Sequence, residues 1–166
     1  MKVIIDTNVL VVANREAPQA SALCVRTYAT KLDDIRARGT VVLDDGWRIL
    51  REYMGHARSR GQPGVGDAFL RWVLTNQANP SRCERVTITP RRVSEADGFA
   101  ELPDELHCAG LDRSDCKFVA VARAHPEHPP ILNAVDSDWW CCQALLAGHG
   151  VRVDNLCADT DPRQCS

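Results

Sequence analysis

The 166-residue sequence lacks a long hydrophobic run, since no stretch approaches the roughly 18 consecutive apolar residues of a membrane-spanning helix. Met1 and Lys2 lead directly into apolar residues, without the hydrophobic region or the small-residue cleavage site of a signal peptide. We therefore expect a cytoplasmic protein with no membrane partner.

Motifs for common cofactors are also missing. No G-x-G-x-x-G or G-x-x-x-x-G-K-[S/T] follows a predicted strand, which argues against dinucleotide binding and a P-loop. The five histidines form no H-E-x-x-H pair, so no catalytic role is assigned to them. The eight cysteines contain no C-x₂-C or C-x₄-C pair, which gives little support to structural zinc. Because a chain of this length can bury a core without disulfides, reduced thiols are expected.

Charge is distributed unevenly along the chain. Residues 1–57 are nearly neutral, residues 58–92 carry seven arginines against two acids, and residues 93–166 carry thirteen acids against five basic residues. A basic middle beside an acidic remainder suits a protein that holds cations on one surface and a polyanion on another. A solvated charged surface is the alternative interpretation.

Short apolar segments alternate with helical patterns. Strands are expected at residues 3–5, 40–43, 83–89, 131–135 and 151–153, and helices at about 19–38, 47–57, 67–79, 113–124 and 138–147. In the second helix we expect Trp47, Leu50, Met54 and Ala57 to share a buried face. The alternation predicts an α/β fold with three layers, α/β/α, around a central, mostly parallel five-stranded sheet. Residues 1–157 are interpreted as one domain with a longer middle segment at about 61–108, and residues 158–166 as a polar C-terminal tail.

Four acids are candidates for one site. Asp6 follows the first predicted strand and Asp136 the fourth, so both lie at the edge of the sheet where ligands bind in such folds. Glu52 lies midway along the second helix, and Asp115 in the first turn of the helix before the fourth strand. Converging carboxylates repel one another unless hard cations such as Mg²⁺ or Mn²⁺ neutralise them.

Each acid also has a purely structural interpretation. Asp6 can form a turn with Asn8, and Asp136 can form the turn that begins the following helix. Asp115 fits a helix cap together with Asp112, and Glu52 can be an ordinary solvated helix residue. Trp139, on the helix that follows Asp136, is interpreted as a packing residue.

Four segments carry the four acids in chain order: residues 3–10 (VIIDTNVL), 50–53 (LREY), 115–122 (DCKFVAVA) and 133–139 (NAVDSDW). Together they resemble PIN-domain nucleases, including the VapC-like toxin ribonucleases. The first two segments are similar to the family's first strand with its aspartate and to its second-helix glutamate. The last two resemble the family's third acid with its helix and the segment after its fourth strand. Ala134 and Val135 depart from the Thr/Ser-Asn that the family often places before the fourth acid, and residues 61–108 are longer than in compact toxin-type members.

The resemblance implies a PIN-like, Rossmann-related fold and a Mg²⁺- or Mn²⁺-dependent endonuclease, most often a ribonuclease, using one or two ions. Asp6, Glu52, Asp115 and Asp136 are the implied catalytic metal ligands, with Asp138 and Asp112 as candidates for additional ligands and Thr7 and Asn8 as orienting residues. Candidate contacts to the substrate backbone are Arg58, Arg60, Arg82, Arg85, Arg91 and Arg92.

Several alternatives remain open at this point. The enzyme could be the toxin of a toxin-antitoxin pair, with an antitoxin-like protein partner, and it could form a homodimer. It could also cut DNA rather than RNA. A non-catalytic PIN-like module that binds RNA or protein is the competing function, although such a module needs no cluster of four carboxylates.

Overall fold

The computed structural model describes residues 1–58, 61–91, 98–107 and 111–157. Its five-stranded sheet has the order β3-β2-β1-β4-β5, and every pairing between neighbouring strands is parallel. The strands are β1 (Lys2–Ile5), β2 (Thr40–Asp44), β3 (Cys83–Val86), β4 (Ile131–Asn133) and β5 (Val153–Asn155). The predicted three-layer α/β/α class is thus confirmed.

Seven helices lie within the described residues. They are α1 (Thr7–Ala13), α2 (Ala22–Arg38), α3 (Arg48–His56), α4 (Val65–Asn76), α5 (Asp104–His107), α6 (Cys116–Ala124) and α7 (Ser137–Gly148). Helix α1 contacts α2, α3 and α4, whereas α6 lies against β1, β2 and β4. In the described ranges no helix combines the length and the apolar character needed to cross a membrane.

The central strands are buried because their sequences are apolar on both faces. Val3, Ile4 and Ile5 of β1 are at most 3% exposed, as expected for a parallel strand covered by helices on both sides. The carboxyl ends of β1 and β4 lie side by side, since Ile5 is paired with Leu132. This pairing brings the residues that follow the two strands to one edge of the sheet.

Several element boundaries differ from those expected. Helix α2 begins at Ala22 rather than near residue 19, because the Ser21 hydroxyl accepts a hydrogen bond from the Cys24 N–H and caps the helix there. Helix α4 begins at Val65 rather than residue 67, and Asp67 lies in its first turn, where its carboxylate accepts the Gly64 N–H. Strand β3 ends at Val86, before the predicted residue 89, and β5 begins at Val153 rather than residue 151.

The buried face predicted for the second helix is partly wrong. Trp47 and Met54 are 40% and 43% exposed, whereas Ile49 and Tyr53 are buried. The helix begins only at Arg48, and the Asp44 carboxylate accepts hydrogen bonds from the Arg48 and Ile49 N–H groups. Trp47 therefore precedes the helix and lies outside its buried face.

The expectation that all thiols are reduced is also wrong. Cys24 on α2 and Cys157 after β5 form a disulfide, with their Cα atoms 5.4 Å apart. That separation suits a disulfide, and it arises from the fold, because 133 residues separate the two cysteines in the chain. Cys83 and Cys116 are buried thiols. The predicted tail, residues 158–166, lies outside the described residues.

Candidate functional site

Asn8 joins the carboxyl ends of β1 and β4. Its side-chain amide donates to Asn133 Oδ1 at 2.8 Å, and its side-chain oxygen accepts the Ala134 N–H at 2.9 Å. The Asp6 N–H donates to the Leu132 carbonyl oxygen across the same gap, at 3.0 Å. Asp6, Asn8 and the chain leading to Asp136 are therefore fixed relative to one another by hydrogen bonds.

Asp6 is a buried carboxylate, only 4% exposed, at the point where β1 gives way to α1. Its Oδ1 accepts the Asn8 N–H at 2.8 Å, and its Oδ2 accepts the Trp139 indole N–H at 2.7 Å. Burial, with smaller contributions from the charges of Asp136 and Glu52, raises the pKa of Asp6 to about 7 despite these hydrogen bonds. The structural interpretations of these residues are correct, since Asp6 forms a turn with Asn8 and Trp139 is buried. Asn8 and Trp139 nevertheless also donate hydrogen bonds to the Asp6 carboxylate.

Glu52 reaches the same place from α3 and is held by two partners. The Thr7 hydroxyl donates to Glu52 Oε1 at 2.5 Å, and Lys117 Nζ forms an ion pair with Glu52 Oε2. Lys117 also donates to the Ser114 carbonyl oxygen and lies 4.6 Å from the centroid of the Phe118 ring. Glu52 is thus not an ordinary solvated helix residue.

Asp115 lies immediately before α6 and is 7% exposed. Within the described part of the chain, Asp115 makes no side-chain capping bond and its Oδ2 has no hydrogen-bond partner. Burial raises its pKa to about 8, with further contributions from the charges of Asp6 and Asp136, while Lys117 opposes the rise. The capping interpretation is therefore wrong for Asp115.

Asp112 and Asp136 do form local turns. The exposed Asp112 accepts the Ser114 N–H at 2.9 Å, and this bond lowers the pKa of its carboxyl group. Asp136 caps α7 by accepting the Asp138 N–H at 2.9 Å. Burial nevertheless raises the pKa of Asp136, and the charges of Asp138 and Asp112 add to the rise.

One cleft of about 350 Å³ collects the four predicted acids. Its lining includes Asp6, Thr7, Asn8, Glu52, Asp115 and Asp136. Asp112 and Asp138 are not part of this lining, so of the six predicted metal ligands the structure brings four to the cleft. The same lining includes four residues that were not predicted from the sequence, namely Glu16, Ala17, Pro18 and His56.

The side chains of the cleft fit a hard divalent cation by their chemistry, although they are not arranged as a closed site. Across residues 1–58, 61–91, 98–107 and 111–157, no group of three or more His, Cys, Asp or Glu side chains could hold a metal ion as arranged. Glu52 is engaged with Lys117, and both Asp6 oxygens accept hydrogen bonds. Asp115 Oδ2, buried and without a partner among the described residues, is the oxygen that a cation would satisfy most directly.

Of the predicted substrate arginines that the structure describes, none lines this cleft. Arg82 precedes β3, at the opposite edge of the sheet, and donates to the carbonyl oxygens of Arg36 and Ala37. Arg85 lies over the Trp47 ring, 5.3 Å from its centroid. The side chain of Arg91 donates to backbone oxygens at Phe99 and Leu102 and pairs with Asp104.

Arg58 is the predicted arginine nearest in sequence to the cleft lining. It is exposed and follows His56 by two residues, and its backbone N–H donates to Asp67 Oδ1 at 2.7 Å. Arg60 and Arg92 lie outside the described residues.

Lys117 and Trp139 hold acids of the cleft and His56 lines it, and none of the three was predicted from the sequence. Lys117 lies among the apolar residues of a buried helix. Because a buried lysine needs a partner, the sequence itself indicated that Lys117 contacts an acid. His56 follows Glu52 by four residues on α3, a spacing that places both on one face. Nothing in the sequence indicated that the Trp139 indole donates to Asp6, because the two residues are 133 positions apart.

Comparison of the chain with protein-family models, with curated proteins and with solved structures found no match in any of the three. The resemblance to PIN-domain nucleases consequently depends on the four sequence segments alone.

Proposed function

We propose that this protein is a divalent-metal-dependent phosphodiester hydrolase, an endoribonuclease of the PIN-domain type. The observation that carries the proposal is the buried Asp115 carboxylate, whose Oδ2 has no partner in the described part of the chain, in a cleft shared with Asp6, Glu52 and Asp136. A buried charge without a partner is costly, and a hard cation would remove that cost.

The electrostatics of the cleft support a cation in the same way. Burial and mutual repulsion raise the pKa of Asp6 to about 7 and that of Asp115 to about 8. Lys117 compensates directly for Glu52 through its ion pair. A fold that keeps Asp6 and Asp115 buried, beside the half-buried Asp136, loses stability by doing so, which is understandable if these acids bind a ligand.

The cleft residues divide into ligands and positioning residues. Asp6, Glu52, Asp115 and Asp136 would hold one or two Mg²⁺ or Mn²⁺ ions, which when bound supply an activated water and neutralise charge on the phosphate. Thr7 orients Glu52 by its hydroxyl hydrogen bond, and Asn8 and Trp139 orient Asp6. The Asp138 N–H orients Asp136.

The biological setting belongs to the same proposal. RNA is the preferred substrate class and DNA is the alternative. The family resemblance suggests that the protein is a toxin, inhibited by an antitoxin-like protein partner, and that it forms a homodimer. We propose a cytoplasmic location, although the Cys24–Cys157 disulfide is more typical of an oxidising compartment.

A non-catalytic module that binds RNA or protein is the second candidate. The ion pair between Lys117 and Glu52 favours it, because the chain neutralises one of the four acids itself. A metal that used Glu52 would have to displace Lys117.

The test uses labelled single-stranded RNA, structured RNA and matched DNA, each incubated with the protein in Mn²⁺, Mg²⁺ or EDTA. We expect cleavage only with metal, loss of cleavage in Asp115→Asn, and unchanged cleavage in Asp33→Asn, a control on the exposed surface of α2. Asp115→Asn is preferred to Asp6→Asn because Asp6 accepts the Trp139 hydrogen bond, which an amide would disturb.

Cleavage in EDTA, or full cleavage by Asp115→Asn, would contradict the proposal. RNA binding without cleavage of any substrate by folded, metal-saturated protein would favour the binding module.

A further inference from the structure

A second groove, of about 630 Å³, adjoins the acidic cleft. It lies between the end of α1, the first half of α2 and the start of α4, and its floor is apolar, with Ala13, Val25 and Val65 among the lining residues. Ala17 and Pro18 line both the groove and the acidic cleft. A single extended ligand could therefore occupy both.

Arg15 and Arg26 carry the only charges among the described residues that line this groove. Both are exposed. In the described ranges neither guanidinium group forms an ion pair or a hydrogen bond, whereas Arg82 and Arg91 donate to the protein's own carbonyl oxygens. These two arginines are thus available to an anionic ligand.

The backbone at Arg15 gives a further reason to assign a role to its side chain. Arg15 has a φ of 63°, in the left-handed region, and ends α1 with two bonds, from its N–H to the Val12 oxygen and from the Glu16 N–H to the Val11 oxygen. This helix ending ordinarily has glycine at the position that Arg15 occupies, because a Cβ is unfavourable there. The presence of arginine at this sterically unfavourable position indicates that its charged side chain has a function.

The acidic cleft cannot hold a polyanion by its own charges. Five carboxylates line it, and within the described residues its lining contains no lysine or arginine. Positive charge in an adjoining groove would hold the backbone of a substrate whose reacting phosphate lies among the acids. The apolar floor suits the sugar and base faces that a single strand exposes and a duplex conceals.

We infer that the groove lined by Arg15 and Arg26 binds the phosphate backbone of single-stranded RNA next to the phosphate in the acidic cleft. The inference rests on the proposed function and names its substrate path. It assigns backbone contacts to Arg15 and Arg26 in place of the arginines at positions 82, 85 and 91.

The test measures binding of a fluorescein-labelled single-stranded RNA and of the matched duplex by fluorescence anisotropy, in EDTA and at several salt concentrations. We expect Arg15→Gly and Arg26→Ala each to weaken single-strand binding about tenfold, as the loss of a charged contact does. Each variant should also reduce the slope of the logarithm of the RNA-binding constant against the logarithm of the salt concentration by about 0.7 in magnitude. This is the value for one phosphate contact with a single strand. Arg38→Ala, at the far end of α2 where Arg38 pairs with Asp34, should change neither.

Arg15→Gly separates binding from stability, because glycine relieves the left-handed backbone. We expect its urea midpoint to rise while RNA binding falls, a combination that a purely structural role for Arg15 does not produce.

Unchanged affinity and salt dependence in both groove variants would overturn the inference, as would an equal loss in Arg38→Ala or equally tight duplex binding. Loss of binding to an antitoxin-like protein, with RNA binding intact, would assign the groove to that protein instead and likewise overturn it. Because the assay contains no metal, its outcome is independent of cleavage. If the wild type cleaves RNA but the groove variants bind RNA as the wild type does, only the role of the groove is refuted. If the groove variants show a reduced salt dependence but the wild type cleaves nothing, the groove is supported and the nuclease proposal is refuted.

Discussion

Replacing Asp115 by asparagine should make the folded protein more stable at neutral pH. Asp115 is 7% exposed, and its Oδ2 has no partner among the described residues. Burial, then the charges of Asp6 and Asp136, raise its pKa from 3.8 to about 8. Asparagine has nearly the same shape and carries no charge, so the variant removes the cost without leaving a cavity.

The magnitude follows from the pKa difference between the folded and unfolded chain. The folded protein binds this proton more tightly, so Asp115 costs nothing below pH 4 and lowers stability progressively as pH rises towards 8. At pH 7 the cost is at most about 4 kcal/mol, and above pH 8 at most about 6 kcal/mol, at 1.36 kcal/mol per pH unit. Asp115→Asn should recover most of that free energy of unfolding at pH 7 and almost none at pH 4.

The assay is urea unfolding followed by tryptophan fluorescence, in EDTA, for the wild type and Asp115→Asn from pH 4 to pH 8.5. Asp33→Asn is the control, because Asp33 is exposed on α2 and its surface ion pair with Arg36 contributes little, so its replacement should give only a small difference. A stability difference for Asp115→Asn that does not grow with pH would refute the reasoning, as would net destabilisation at pH 7. Adding Mn²⁺ should narrow the difference, since an ion at 100 times its Kd stabilises the folded wild type by about 2.7 kcal/mol.

Two further changes test the surroundings of the site. Trp139→Phe leaves Asp6 Oδ2 without its donor, so we expect a further rise in the pKa of Asp6 and a loss of about 1–3 kcal/mol of unfolding free energy by urea titration. A wild-type urea midpoint for this variant would show that the bond contributes nothing. Reduction of the Cys24–Cys157 disulfide should cost about 4–5 kcal/mol, because it opens a loop whose ends are 133 residues apart. The Cys24→Ser, Cys157→Ser double variant should respond much less to reductant, and an equal response would contradict the assignment.

The sheet could be predicted because its strands are encoded locally. Residues 3–5 and 40–43 are short apolar runs rich in β-branched residues, which a buried parallel strand requires on both faces. Helix α1 was not predicted, because Val9, Val11 and Val12 are β-branched residues that favour a strand. The Asp6 cap and the burial of Val9, Leu10 and Val12 decide in favour of the helix, and both depend on the assembled fold.

The acids could be located from topology, but their partners could not. Asp6 and Asp136 follow neighbouring parallel strands, so a general rule of such sheets places them together. The Lys117–Glu52 pair and the Trp139–Asp6 bond join elements far apart in the chain, and no local pattern encodes them. Local charge density likewise selected Arg82 without indicating that it lies at the opposite edge of the sheet.

The buried amide of Asn133 extends the hydrogen bonds of Asn8 to Asp136 and so helps to fix the positions of Asp6 and Asp136. Asn133, at the end of β4, accepts a hydrogen bond from the Asn8 side chain and donates to the Asp136 and Asn155 oxygens. Its carbonyl oxygen accepts the Tyr28 hydroxyl, so α2 is tied to the same point. Because buried hydrogen bonds of this kind leave little freedom, the two acids cannot separate to relieve their repulsion. Burial is the main cause of the raised pKa values of Asp6 and Asp136, and the charge of Asp136 adds to the rise at Asp6. Because the scaffold fixes both the burial and the spacing, this cost remains until a proton or a cation removes it.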